Sequence, residues 1–258
     1  MTLYHSLMFR EMKLTRGTNI ARFSLYMLFS LMFITLALLG TLFSDEPVDM
    51  AEASLTASFW LMYSPLFGGL ISVLDNGLIK KDLAAGWTRY SRTLPATPTQ
   101  KTAASLMVKL IFMAVIFVIN IIEAVVLKNS LGLDIIVPSI NLFLAGAVIC
   151  SVFTIIRQAL YLRCKSIKDM KVVGLILIAV FYGGIELFTK YASRKDKDFS
   201  MKRFSEDMQV PENAIVPVHK LISLTGHISY TFILLAALIA VFAVHFIVMK
   251  KSLERREA

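Results

Sequence analysis

Six stretches of this chain approach the roughly 20 apolar residues that a helix needs to cross a hydrocarbon core of about 30 Å, at about 1.5 Å per residue. They lie near residues 23–43, 55–74, 110–127, 137–156, 172–188 and 231–249. In lipid the backbone must satisfy its own polar groups, so a run of this length has to be helical. The pattern predicts an all-α integral membrane protein with six transmembrane helices. A composition of 57% hydrophobic and 17% charged residues is too apolar for an ordinary soluble domain. The fifth run is the weakest, being short and carrying Gly183, Gly184 and Glu186 near its end. The first run follows a polar stretch, is too long for a signal-peptide core and lacks a small-residue cleavage pattern, so it is expected to remain as a membrane helix.

Lysine and arginine are retained on the cytoplasmic side. With both termini inside, that side collects Arg10, Lys13, Arg16 and Arg22, then Lys80, Lys81, Arg89, Arg92, Lys101 and Lys109. Arg157, Arg163, Lys165, Lys168 and Lys171 follow, and finally Lys250, Lys251, Arg255 and Arg256. The first external loop, 44–54, has Asp45, Glu46, Asp49 and Glu52 and no basic residue. Lys190, Arg194, Lys195, Lys197, Lys202 and Arg203 oppose this arrangement, because they follow the fifth run and would lie outside. Six helices nevertheless keep the basic tail inside. The net charge of +9 therefore reads as topology. There is no basic, aromatic soluble domain for nucleic acid. Cys150 lies in the fourth run and Cys164 in a basic loop, so both are expected to be reduced.

Between the second and third runs lies a basic, aromatic segment, 75–109. Leu83, Trp87, Tyr90 and Leu94 recur at helical spacing, with Lys81, Arg89 and Arg92 off that stripe. Pro95 stops the helix. Thr97-Pro98-Thr99-Gln100 then has the hydroxyl, proline and glutamine of a capping box, which predicts a second helix running through Lys101 and Lys109 into the third span. The aromatic stripe fits either the headgroup layer or a docking surface for a soluble partner. Leu3, Leu7, Met8, Met12 and Thr15 are also able to share a face, which predicts an interfacial helix within 1–22.

This layout, with the stretch from Lys81-Asp82 through Trp87 and Tyr90 to Thr93-Leu94-Pro95, the capped helix carrying Lys109 and the basic tail after Met249, resembles the small ABC-2 type permeases. Within them it is most similar to the permease subunits of bacterial peptide exporters, such as the phenol-soluble modulin exporters. The resemblance implies a single permease domain, 1–258, in the bacterial cytoplasmic membrane, paired with a second permease copy or paralogue and with ATP-binding subunits. It implies that the loop between the second and third spans is a coupling helix, with Lys81, Asp82, Leu83, Trp87, Tyr90, Arg92, Leu94 and Pro95 as ATPase contacts. The cargo it implies is an amphipathic or antimicrobial peptide. The chain has no phosphate-cradling G-x-x-x-x-G-K-[ST] motif, so no cofactor is expected to bind it directly; ATP and Mg would belong to the partner subunit.

Ionisable residues in hydrocarbon need a reason. Glu123 and Glu186, both toward the outer side, either line a translocation path or reach water at the interface. Arg157 and His245 are expected to snorkel or to meet backbone oxygens, and Asn120 and Asn141 to hydrogen-bond between helices. Pro65, Gly68 and Gly69 fit either a bend in the second span or ordinary packing. The stretch 190–229 is long for a bare loop and apolar in its second half, which suggests an extracellular or re-entrant segment. An ion-coupled carrier, or a membrane partner protein without an ATPase, is the alternative; paired charges near mid-membrane would be its mark. An enzyme is not expected, since the chain lacks H-E-x-x-H and His5, His219, His227 and His245 have no ligand spacing.

Overall fold

In the computed structural model, which describes residues 3–43, 50–84, 96–164, 166–195 and 222–257, no strand occurs among those residues. Helix α1 spans Leu3–Phe43, α2 Met50–Val73, α3 Leu78–Ala84, α4 Pro98–Leu131, α5 Ile136–Tyr161, α6 Ile167–Lys195 and α7 Ile228–Glu257. The start of α4 is the expected capping box. Gln100 N donates to Thr97 Oγ1 at 3.3 Å and Thr97 N donates to Gln100 Oε1 at 2.9 Å, with Pro98 in the first turn. Gly132 closes the same helix with φ +68°, its N–H bonded to Lys128 O.

Three segments, Pro98–Ser130, Ile136–Tyr161 and Ile228–Arg255, are long and apolar enough to cross a membrane, which marks a membrane protein. The other three apolar runs fall on α1, α2 and α6. α1 differs from expectation: it is one unbroken 41-residue helix, without a break between an interfacial portion and a span.

α2 and α5 form the central pair, with α4 and α1 packed on one flank and α7 on the other; α6 leans on α5 and on α3. The α2–α5 crossing is close because it is made of glycine. A Cβ on Gly69 would lie 2.1 Å from Phe143 O, and one on Gly146 would lie 2.4 Å from Leu66 O. Gly69 thus serves close packing, and small residues are what let membrane helices approach.

The apolar core is layered along the bundle. Ala57, Trp60, Leu61, Ala124 and Leu127 fill one end, Tyr26, Ile71, Ile116 and Phe143 the middle, and Ile79, Leu162, Met170 and Met249 the other end. Leu28, Leu31, Ile122, Leu175, Phe232 and Ile239 point outward and are exposed. In water so much apolar surface would be a liability, whereas in lipid it is the solvated face.

Candidate functional site

Two turns in sequence deliver the chain from α2 into α3. Asp75 Oδ1 accepts from Gly77 N at 3.3 Å and Asn76 Oδ1 accepts from Leu78 N at 3.2 Å, while Gly77 adopts φ +75°. Short polar side chains that bond their own backbone two residues on are a standard way to reverse a chain. They place α3 under the bundle, where it is fastened on two sides. Lys81 Nζ donates to Leu14 O at 2.5 Å and lies 3.4 Å from Thr18 Oγ1, and Arg10 pairs with Asp82, all on α1. On the other side Ile79 is buried with Leu162, Cys164, Met170 and Met249, and Leu83 packs against them.

Of the expected coupling residues, Lys81 and Asp82 are thus engaged with α1 and Leu83 with the ends of α5, α6 and α7. Trp87, Tyr90, Arg92, Leu94 and Pro95 lie outside the described residues. The described chain resumes at Ala96, which is buried, and α4 begins two residues later.

Directly above α3 is a buried polar network that sequence reasoning did not assemble. Glu11 is 3% exposed, and its Oε1 accepts from Asn76 Nδ2 at 2.9 Å and from Ser105 Oγ at 3.1 Å, joining α1, the α2–α3 turn and α4. Burial pushes the Glu11 carboxyl above its ordinary range, against the pull of those two hydrogen bonds and of nearby Lys109. Lys109, on α4, donates to Gln158 Oε1 at 3.0 Å, and His245 Nε2 lies 2.8 Å from that oxygen and 3.4 Å from Lys109 Nζ. Gln158 Nε2 donates to Asp75 Oδ1 at 2.9 Å, and Arg157 reaches Asp75 Oδ2 at 3.5 Å. Arg22 donates to the carbonyls of Leu74 and Asp75, and Thr154 Oγ1 to Val73 O at 3.1 Å. His245, expected to snorkel or meet backbone oxygens, instead meets side chains of α4 and α5, whereas Arg157, its side chain 40% exposed, pairs with Asp75 in the α2–α3 turn. Every described helix contributes to α3 or to this network.

A second polar centre surrounds Glu123. It is 2% exposed, enclosed by Tyr26 and Ser30 of α1 and Ser64 of α2, with Ser64 Oγ donating at 2.9 Å. Glu123 therefore faces the bundle interior and not the interfacial water that was one of its two expected settings. Trp60 Nε1 and both amide atoms of Asn120 are buried without partners among the described residues. Asn141 does bridge helices as expected, donating to Thr225 O and His227 O and accepting from Thr231 Oγ1 at 2.7 Å. Glu186 is exposed on α6, which leans on α5 and α3, so the two carboxylates are not brought into one site.

The missed signal is on α1. Its buried residues Glu11, Thr15, Tyr26 and Ser30, with half-buried Asn19 and Arg22, recur at spacings of four, four, three, four and four, a polar stripe that faces inward. Of the expected apolar stripe, Leu3 and Met12 are exposed, Leu7 and Met8 half-buried and Thr15 buried. Cys150 and Cys164 are buried and form no disulfide among the described residues. Beyond this geometry, no family profile, curated protein or solved structure matches the sequence.

Proposed function

We propose that this chain is the membrane-spanning subunit of an ATP-driven exporter, with six spanning helices, both termini in the cytoplasm and a separate ATP-binding subunit docked on the segment after α3. The observation that carries the reading is mechanical. In sequence, the segment 85–95 follows α3, which is bonded to α1 and packed on the ends of α5, α6 and α7. At its other end it passes into the capped start of α4. A push on it would be delivered backward into α1 and forward along α4 to Lys109 and Glu123. Aromatic anchors beside arginine suit a protein partner, since such residues carry most interfacial energy.

In this reading ATP binding draws two ATP-binding subunits together, moves the segments of two permease chains, and changes which side of the membrane the bundle opens to. The cargo would be an amphipathic peptide, as the likeness to peptide exporters suggests. The decisive experiment replaces Trp87 and Tyr90 with Ala and measures co-purification with the ATP-binding subunit and peptide export from cells. Both should fall; a doubly substituted chain that still assembles and exports normally would remove the docking role.

The enclosed Glu123 favours a second reading, an ion-coupled carrier, because a carboxylate held by hydroxyls of two other helices is suited to taking up and releasing a proton. Purified chain in sealed vesicles separates the two. Uptake driven by a proton gradient without any ATPase would favour the carrier.

A further inference from the structure

Beside the α2–α3 turn, on the side of Asp75 and Arg157 that faces away from Lys109, α3, α5 and α6 line a cavity of about 380 Å³ that shares those two residues with the network. Its polar lining is Lys80 of α3, Arg157 of α5 and Lys171 of α6, together with Asp75. Three cations against one carboxylate leave it positive. Asp75 is already engaged by Gln158, Gly77 and Arg157, so it serves to hold the guanidinium in place. Arg157 is held from a second direction by the Tyr161 ring, 5.1 Å from its centre, and its buried Nε has no acceptor among the described residues. Lys80 and Lys171 are exposed and have no carboxylate partner among the described residues.

The remaining wall is apolar and continues along α6. The Tyr161 hydroxyl comes close to Gly174, where a Cβ would stand 3.1 Å from it, and Gly174, Leu175 and Ile178 line the cavity, the last two staying exposed toward the surroundings. The cations therefore cluster where the apolar run of α6 begins, and the greasy wall leads away from them into that run. This is a headgroup pocket with an acyl groove attached.

We propose that the cavity binds one anionic phospholipid, its phosphodiester held by Arg157, Lys80 and Lys171 and an acyl chain laid along Gly174, Leu175 and Ile178. Basic pockets at the ends of spanning helices take such headgroups, whereas a zwitterionic lipid would bring its own cation into a positive site. The inference rests on α5 crossing the membrane, and is independent of the ATPase reading.

The test is native mass spectrometry of the full chain released from nanodiscs in which phosphatidylglycerol is a minor component among phosphatidylcholine. One retained phosphatidylglycerol per chain is expected. Lys80→Gln with Lys171→Gln should lower its retention by about 30-fold, from two cations each contributing about fivefold. Gly174→Leu fills the cavity without changing charge and should lower retention as well, with an unchanged elution profile and Tm showing that the chain is folded. Equal retention of the two lipids, or undiminished retention in Gly174→Leu, would overturn the proposal. So would full displacement of the lipid by inorganic phosphate, which would make this a site for the free anion.

Discussion

The α2–α5 crossing permits a sharp prediction, because two glycines on facing helices depend on the same close approach. An Ala side chain at residue 69 would stand 2.1 Å from Phe143 O and 2.9 Å from Ala147 N, and one at residue 146 would stand 2.4 Å from Leu66 O and 3.2 Å from Leu70 N. Carbon and carbonyl oxygen meet comfortably at about 3.3 Å or more, so Gly69→Ala must separate the helices by about 1 Å. The obstructing atoms are backbone and cannot rotate away. Overpacking of this kind costs about 1–3 kcal/mol, and rigid neighbours put Gly69→Ala near the upper end. At about 2–4 °C per kcal/mol for a chain of this size, Tm should fall by about 5–10 °C. Gly146→Ala, meeting a less severe clash, should cost somewhat less. Once the first alanine has moved the helices apart, the second finds room already made, so the double variant should lose clearly less than the sum. Purified variants in one detergent, followed by tryptophan fluorescence on heating, give all three shifts. Full additivity, or two single variants as stable as the parent, would refute the idea of a shared crossing.

Glu11→Gln keeps the oxygen that accepts from Asn76 and Ser105 but removes the buried charge. Because the folded carboxyl sits above its ordinary value of 4.5, its contribution to stability is complete below that pH and is lost as pH rises through the folded value. The Gln variant should therefore gain Tm relative to the parent as pH is raised from 4.5 toward 8; a falling difference would contradict the sign. Arg10→Asp breaks the pair with Asp82 and sets two carboxylates together, so it should destabilise by about 1 kcal/mol, and the exchange Arg10→Asp with Asp82→Arg should recover most of that. Chemical denaturation of the double variant checks the recovery. Glu123→Gln should be tolerated within about 1 kcal/mol, whereas Glu123→Ala strands the hydroxyls of Ser30 and Ser64 and should cost at least about 2 kcal/mol in the same assay.

Local chemistry was legible in advance where it depends on neighbours in sequence. Thr97, Pro98 and Gln100 are within four positions, so the start of α4 could be read from them alone, and the apolar runs fixed where helices belong. Pairings between distant segments were not legible. Glu11 meets a residue 65 positions away and another 94 away, and no periodicity tells which inward-facing polar group will meet which. The inward polar stripe of α1 was missed because of the habit that apolar residues point inward. That habit holds in water; in lipid the outside is the cheaper place for Leu28 and Leu31, and the interior is where polar groups find partners. Gly69 and Gly146 were individually unremarkable, since their meaning lies in a crossing formed by segments that the sequence does not align.

The inward polar stripe of α1 also sets a problem of timing during synthesis. Ser30 and Glu123 are 93 residues apart, so at about 5–20 residues per second the first helix is complete roughly 5–20 s before its acidic companion leaves the ribosome. With α1 crossing the bilayer, as the proposed function has it, Tyr26 and Ser30 would face hydrocarbon during that interval if the helix drifted free. The nascent chain must therefore be sheltered, by the insertion machinery or by early contact with the second helix, and assembly of this protein should be unusually sensitive to whatever provides that shelter.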